Sequence, residues 1–380
     1  MIKPYDKIKC MSFDTTAANT GLKNGACNLI EKKRGRDMLW LAHRHHMLEI
    51  ILEAVVTQSL GHSQAPEIQL FKRLKKIWNS INASEYQTSS SDTFVSSMVC
   101  DSRADILSFA NEQLVQYQPR DDYRELLQLT ISFLTDAKIP GTTFKAPAGL
   151  HRARWMAKAI YALKIWMLRQ QFRLTKTEEA GLRDICVFTV LLYVKPWFRA
   201  PSASCAPRLD LQLLKDIDNY KSHNSVISAV ALKKLLGHLW YLSPVLVAFG
   251  FFDDDVSTDT KRRMVQALQV PGDDHHVKRA IVDPAMIHSK ELDDFVSSTT
   301  REFFTITGLS SRFLELDVEQ WDDDNEYKSA KATICSLKVI NDIAESGVAL
   351  MDEFNKLLTN NEEQKQPLVS GSALQTEIPR

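Results

Sequence analysis

The chain has 380 residues, enough for one large domain or two ordinary ones. Hydrophobic residues make up 44% and charged residues 25%, and 47 basic side chains meet 47 acidic ones. Zero net charge excludes the strongly basic field of a dedicated nucleic-acid binder, so any DNA contact has to use local patches. No run approaches the ~18 apolar residues of a membrane span.

Glycine and proline number 13 each, which argues against all-β repeats and long disordered tracts. The first residues are short and polar, with no secretory signal. The six cysteines lack CxxC spacing and fit a reduced, intracellular protein better than a disulfide framework or a zinc ribbon.

Ile8 to Phe13 is a short, mainly apolar run that stops at Asp14. Its length and density predict a buried strand. Thr15 and Thr16 are candidate caps for a following helix. Gly21 and Gly25, four apart, would allow a backbone to approach closely, and Gly35 should end the helix after Glu31-Lys-Lys-Arg34. Met38 to Ala42 reads as a second strand, and the sequence from His46 as a helix. Two strands joined by a crossover helix are expected to be parallel.

Beyond residue 60 the pattern turns helical. Glu67 to Trp78 carries an apolar stripe, and residues 79–103 read as a serine-rich loop. Asp121 to Leu134 is amphipathic, and His151 to Phe172 reads as one long helix. Thr175-x-x-Glu178 is a capping box whose helix should stop before Pro196. Pro207 suits the first turn of the next helix. Ser225 to Leu242 reads as a helix ended by Pro244, and Thr258 as the cap of another reaching Leu268. Residues 270–295 form a turn-rich connection, and Lys328 to Leu358 a long closing helix. The fold expected is mostly α with a small α/β part, divided as 1–60, 61–325, 326–361 and a flexible tail, 362–380.

Four groups could carry chemistry. A strand-terminal aspartate such as Asp14 can hold Mg²⁺ in a two-metal phosphoryl-transfer site; the other reading is that it caps the following helix. His43, His45 and His46 could ligate zinc, or pack at a strand–helix junction. Asp342 and Glu345 share one helix face and could complete a carboxylate cluster or simply be solvated. Two basic surfaces could track phosphates or be ordinary solvated faces: Lys72, Arg73, Lys75 and Lys76, and the helix bearing His151, Arg154, Lys158, Arg169 and Arg173.

The string Phe13-Asp-Thr-Thr-Ala-Ala-Asn-Thr-Gly, followed by Leu41-Ala-His-Arg-His-His-Met-Leu-Glu-Ile, resembles a metazoan group of uncharacterised proteins similar to hAT-type DNA transposases. The resemblance continues through Arg120-Asp-Asp-Tyr-Arg-Glu, Ala153-Arg-Trp-Met-Ala-Lys, Gly181-Leu-Arg-Asp-Ile-Cys, His238-Leu-Trp-Tyr-Leu-Ser and Asn341-Asp-Ile-Ala-Glu. It implies a partial ribonuclease-H-like sheet, two parallel strands of which are visible, with a large helical insertion. Asp14 would match the second catalytic aspartate and Glu345, or else Asp342, the late catalytic acid. His46-Met-Leu would match a His-x-Leu motif, with His43 standing where that family has cysteine. The strand bearing the first catalytic aspartate is not seen upstream, since Asp6 lies too close to Asp14.

The implied protein is transposase-derived and catalytically inactive, with Mg²⁺ at Asp14 and Glu345 only if the site is completed. Its address is the nucleus in preference to the cytoplasm, and its partners are duplex DNA through local basic patches and a second copy of the chain, with no membrane. The alternatives are a transposon-derived helical scaffold that binds DNA or protein, and a non-functional transposon fragment.

Overall fold

The computed structural model describes residues 7–61, 68–139, 141–147, 156–272 and 277–341, together with Gly347. The protein is mostly helical, with one small parallel sheet. The sequence pattern divides the chain at 60, 325 and 361; the described residues form two compact units, 7–51 with 199–341, and 52–198.

In the first unit β1 (Cys10–Phe13) pairs in parallel with β2 (Leu39–Ala42), in register from Cys10↔Leu39 to Phe13↔Ala42. The two expected strands are therefore adjacent and parallel. Every residue of β2 is buried, whereas β1 is only partly covered. The crossover contains α1 (Ala17–Thr20) and α2 (Ala26–Arg34), two helices where the sequence suggested one.

The glycines cause that break. The Gly25 amide donates to the Gly21 carbonyl at 2.8 Å, and a Cβ on Gly25 would stand 2.4 Å from the Gly21 nitrogen. Only glycine permits so close an approach. Gly35 ends α2 at φ +66°, the left-handed cap its position predicted. Helix α3 (Arg44–Leu60) then leaves the C-terminal edge of β2.

The second unit holds α4 (Gln69–Ile77), α5 (Thr93–Val115), α6 (Asp121–Leu134), α7 (Ala157–Met167), α8 (Lys176–Phe188) and α9 (Val194–Arg199). Helix α5 begins inside the stretch expected to be a loop. Asp92 caps it by accepting from the Val95 amide at 3.0 Å, and Val95, Val99 and Ile106 are buried along one face. Ser96, Ser97 and Ser102 of this stretch thus lie on a helix whose burial comes from a sparse apolar stripe, while Ser80, Ser84 and Ser89–Ser91 lie in the turns before it.

The long helix expected over 151–172 is α7 followed by a 3₁₀ turn at Arg169–Gln171, its first residues lying outside the described ones. Helix α7 packs against both α6 and α8 and is buried on nearly every side. Even Lys164 is enclosed, paired with Glu125 at 2.6 Å and donating to the Lys145 carbonyl at 2.7 Å. The Thr175–Glu178 capping box is formed in both directions. Helix α8 ends at Phe188, before Pro196, but the chain stays helical through a π turn at Thr189–Tyr193 into α9, which contains Pro196. That turn includes Leu192, whose carbonyl would clash with the Pro196 ring in a regular helix.

The chain returns to the first unit through α10 (Ala206–Asn219), α11 (Ser225–Leu236), α12 (Thr258–Ala267), α13 (Glu302–Thr307) and α14 (Asn325–Ser336). Pro207 lies in the first turn of α10 as expected. Helix α11 ends at Gly237, earlier than the Pro244 stop suggested, and Ser257 rather than Thr258 caps α12. Between α11 and α14 run several 3₁₀ turns around an aromatic core that includes Phe252, Phe303, Phe313, Trp321 and Tyr327.

The long closing helix expected from Lys328 is corrected at Ser336. Beyond it the chain extends and bridges Ser202 to Lys338 antiparallel. The Ala203 amide donates to Leu337 at 3.2 Å, Val339 to Pro201 at 2.9 Å and Arg44 to Val339 at 2.9 Å. These tertiary partners take the backbone groups that a continued helix would have used internally.

Candidate site at the carboxyl edge of the sheet

In parallel sheets the strand ends where the chain turns away are natural ligand positions. Asp14 follows β1 and His43 follows β2, and the pairing of Phe13 with Ala42 brings the two edges together. The His43 amide donates to the Phe13 carbonyl at 2.9 Å. Its ring Nε2 lies 2.9 Å from the Ser12 hydroxyl, so His43 is a buried junction residue.

Asp14 is held by its own loop. Its Oδ1 accepts from the Thr16 amide at 3.1 Å, the Thr16 hydroxyl at 2.6 Å and the Asn19 amide group at 2.7 Å, and its carbonyl accepts from Asn19 at 3.2 Å. Thr16 occupies the cap position of α1 without a side-chain bond to the helix, because its hydroxyl is turned to Asp14. Partial burial pushes the Asp14 carboxyl upward; the Thr16 and Asn19 bonds and the nearby His46 outweigh this and hold it below the usual carboxylate range.

His46 stands in the first turn of α3 and acts electrostatically on both Asp14 and His238. His238, whose Nδ1 is 2.7 Å from the Lys234 carbonyl, is pushed below the ordinary histidine range chiefly by burial. The charges of Arg279, His46 and Lys234 add to that effect, and the carbonyl bond opposes it. Near the same edge Tyr241 donates its hydroxyl to the Ala42 carbonyl at 2.5 Å, and Trp240 stacks on Trp40 with centroids 6.1 Å apart. Arg44, at the start of α3, is buried and bidentate on Asp210 Oδ1, at 3.0 and 2.7 Å, and also donates to the Ala200 carbonyl.

Of the expected metal ligands, Asp342 and Glu345 lie outside the described residues. Among the described residues the donors around Asp14 do not make a Mg²⁺ cage. One carboxylate oxygen is engaged by three donors, and the neighbouring His43 and His46 offer nitrogen where this hard cation takes oxygen. No group of three or more potential metal-ligating side chains occurs among them either.

Of the expected phosphate-binding cations, Lys72, Arg73, Lys75 and Lys76 lie on α4, whose Leu70, Phe71 and Leu74 are buried. Arg73 is engaged there by Glu178 and by the Arg173 carbonyl, and its guanidinium sits 5.0 Å from the Phe172 ring. Arg169 is largely buried on the Trp166 ring at 3.7 Å and bonded to Ser91 and to the Trp166 carbonyl. Lys158 is half-buried near the start of α7, and Arg154 lies outside the described residues. The second basic face is therefore not a continuous helical stripe, since Arg169 belongs to the turn after α7.

A cationic surface that the sequence reading missed lies in the first unit. A cleft of about 740 Å³ is lined by Lys32, Arg36, Lys278 and Arg279, together with Trp40 and Trp240. Lys278 lies 5.0 Å from the Trp40 ring and Arg279 4.9 Å from the Trp240 ring. Two acids also line it: Glu31, whose Oε1 accepts from the Met38 amide, the Trp40 indole and Lys278, and Asp37, 3.8 Å from Lys278. The two pairs of cations, Lys32 with Arg36 and Lys278 with Arg279, are more than 240 residues apart in sequence, so no local pattern reveals their meeting. The Asp14 loop was more legible, because Asp-x-Thr-x-x-Asn is a pattern in which side chains close a turn on the aspartate. Compared with protein-family models, with curated proteins and with solved structures, the chain matches none of them.

Proposed function

We propose that this chain is a protein derived from an hAT-type DNA transposase, with a partial ribonuclease-H-like core, that acts in the nucleus without strand-cleaving activity. The observation that carries this reading is the parallel pair β1–β2, with Asp14 at the carboxyl end of one strand and His43 and His46 at the end of the other. The order strand, aspartate, crossover helix, strand, His46 is what the resemblance implies, with His43 standing where that family has cysteine. In this chain the Asp14 carboxylate serves its own turn through Thr16 and Asn19.

The test is nicking of supercoiled DNA with Mg²⁺ or Mn²⁺. No cleavage is expected, and Asp14→Ala should change nothing. Divalent-dependent cleavage lost in Asp14→Ala would overturn the inactive assignment.

A role in binding DNA is favoured by one further observation, the cleft bearing Lys32, Arg36, Lys278 and Arg279. Duplex binding through these residues should weaken linearly as log salt rises, and Lys278→Glu with Arg279→Glu should flatten that slope by roughly one to two units. Binding that ignores salt, or that ignores these substitutions, would refute it.

A further inference from the structure

Cys205 and Cys335 are far apart in sequence but meet at one hydroxyl. The Ser204 Oγ lies 3.7 Å from the Cys205 sulfur and 3.8 Å from the Cys335 sulfur, so the two sulfurs are separated by no more than twice that distance. The backbone brings them there. Ser202 and Lys338 are bridged antiparallel, with the Ala203 amide on Leu337 and the Val339 amide on Pro201. Cys205 lies three residues after Ser202 and Cys335 three residues before Lys338, so the bridge holds both cysteine-bearing segments close to one another. Cys205 is the residue before α10, and Cys335 is in the last turn of α14. Cys335 is exposed and Cys205 is part-exposed, so a small oxidant reaches both.

We propose that Cys205 and Cys335 are a reversible dithiol–disulfide pair that latches the end of α14 to the start of α10 when a peroxide oxidises it. A disulfide needs its sulfurs about 2.05 Å apart. A change of χ1 between staggered rotamers swings a sulfur by roughly 3 Å, so rotation of both side chains can close a gap of this size. The thiolate of exposed Cys335 attacks one peroxide oxygen and breaks the O–O bond, releasing hydroxide that is protonated to water and leaving a sulfenic acid. The Cys205 thiolate then attacks that sulfur and expels a second hydroxide, which leaves as water. Two thiols lose two electrons and two protons in all, and one hydrogen peroxide becomes two waters.

The remaining thiols have no such arrangement. Cys27 and Cys186 are buried, and burial pushes the thiols of Cys27 (to about 11), Cys186 and Cys10 up, away from the reactive thiolate; Cys100 is exposed and bonds only within its own helix, to Ser97 and Asp101. The latch closes a loop of about 130 residues, and a crosslink over so long a loop removes much unfolded-state entropy. It also fixes the segment through which Val339 bonds to Arg44.

The test is to expose the full chain to one to a few equivalents of hydrogen peroxide, alkylate it, and map its peptides without reduction. The expected product is a crosslinked peptide pair containing Cys205 and Cys335, two hydrogens lighter than the separate peptides and released by dithiothreitol. The oxidised protein should melt several degrees higher. Cys335→Ser and Cys205→Ser should each abolish both effects, whereas Cys100→Ser should leave them. Oxidation of Cys335 to sulfinic or sulfonic acid without the crosslink, or pairing of either residue with another cysteine instead, would overturn the proposal. The mapping uses the native chain, so poor folding of a variant cannot obscure the result.

Discussion

Replacing Asp210 with alanine would leave the Arg44 guanidinium buried without its counter-charge. Asp210 and Arg44 are 1% and 3% exposed, and the two bonds to Asp210 Oδ1 are at 3.0 and 2.7 Å. The Ala200 carbonyl, at 3.2 Å, remains but carries no charge. Removing one partner of such a pair costs about 3–5 kcal/mol, whereas replacing both with apolar residues of similar size is near neutral. The second Asp210 oxygen already has no hydrogen-bond partner, and burial raises this carboxyl above its ordinary range despite the adjacent Arg44. The pair is therefore strained by desolvation, which favours the double replacement further.

Asp210→Ala, Arg44→Met and the double variant form a thermodynamic cycle. Urea unfolding followed by tryptophan fluorescence reads the loss, since Trp40 and Trp240 lie at the same strand as the pair. The expected result is a loss of about 3–5 kcal/mol in Asp210→Ala and a substantially smaller loss in the double variant than the two single losses together. A single-variant loss under about 1 kcal/mol, or strict additivity, would show that the pair does not hold β2 and α3 to α10.

Gly181→Ala should cost about 1–3 kcal/mol, because the new Cβ would stand 2.3 Å from the Ser59 carbonyl oxygen, a backbone atom in the same unit; an unchanged urea midpoint would refute the close contact. Tyr241→Phe removes the donor to the Ala42 carbonyl and leaves that buried acceptor unpaired, at about 1–3 kcal/mol; faster hydrogen exchange of the β1–β2 amides would report it, and unchanged exchange would count against it. His238 titrates below its unfolded value of about 6.5, so the unfolded state binds the proton more readily. The stability this contributes is complete above pH ~6.5 and is lost as pH falls through the folded pKa. Urea midpoints measured from pH 8 to 5 should fall less steeply in His238→Gln than in wild type, and parallel slopes would reject the assignment.

Local chemistry carried much of the outline. The left-handed cap at Gly35, the Thr175–Glu178 box and the bounds of α6 are set by residues within a few positions of one another, and each formed as expected; the apolar run ending at Asp14 formed a strand from Cys10, but of its residues only Phe13 is buried. The sequence also implied that β1 and β2 lie side by side in parallel, since a short crossover leaves little else. The elements that differed were decided at a distance. Helix α14 ends where Pro201 and Ala203 take over its backbone groups, α8 continues toward Pro196 through a π turn, and α7 is enclosed by α6 and α8 rather than presenting a basic stripe.

The same division holds at the site. Asp14 and its Thr16 and Asn19 partners are neighbours in sequence, yet the sequence suggests Thr16 as a helix cap, whereas its hydroxyl turns to Asp14. The environment of His46 and His238, the Arg44–Asp210 pair and the meeting of Cys205 with Cys335 depend on segments about 130 to 190 residues apart. Short-range periodicity and capping follow from backbone geometry and are written in adjacent residues; which distant charges and thiols share a neighbourhood is fixed only when burying the apolar faces brings their helices together.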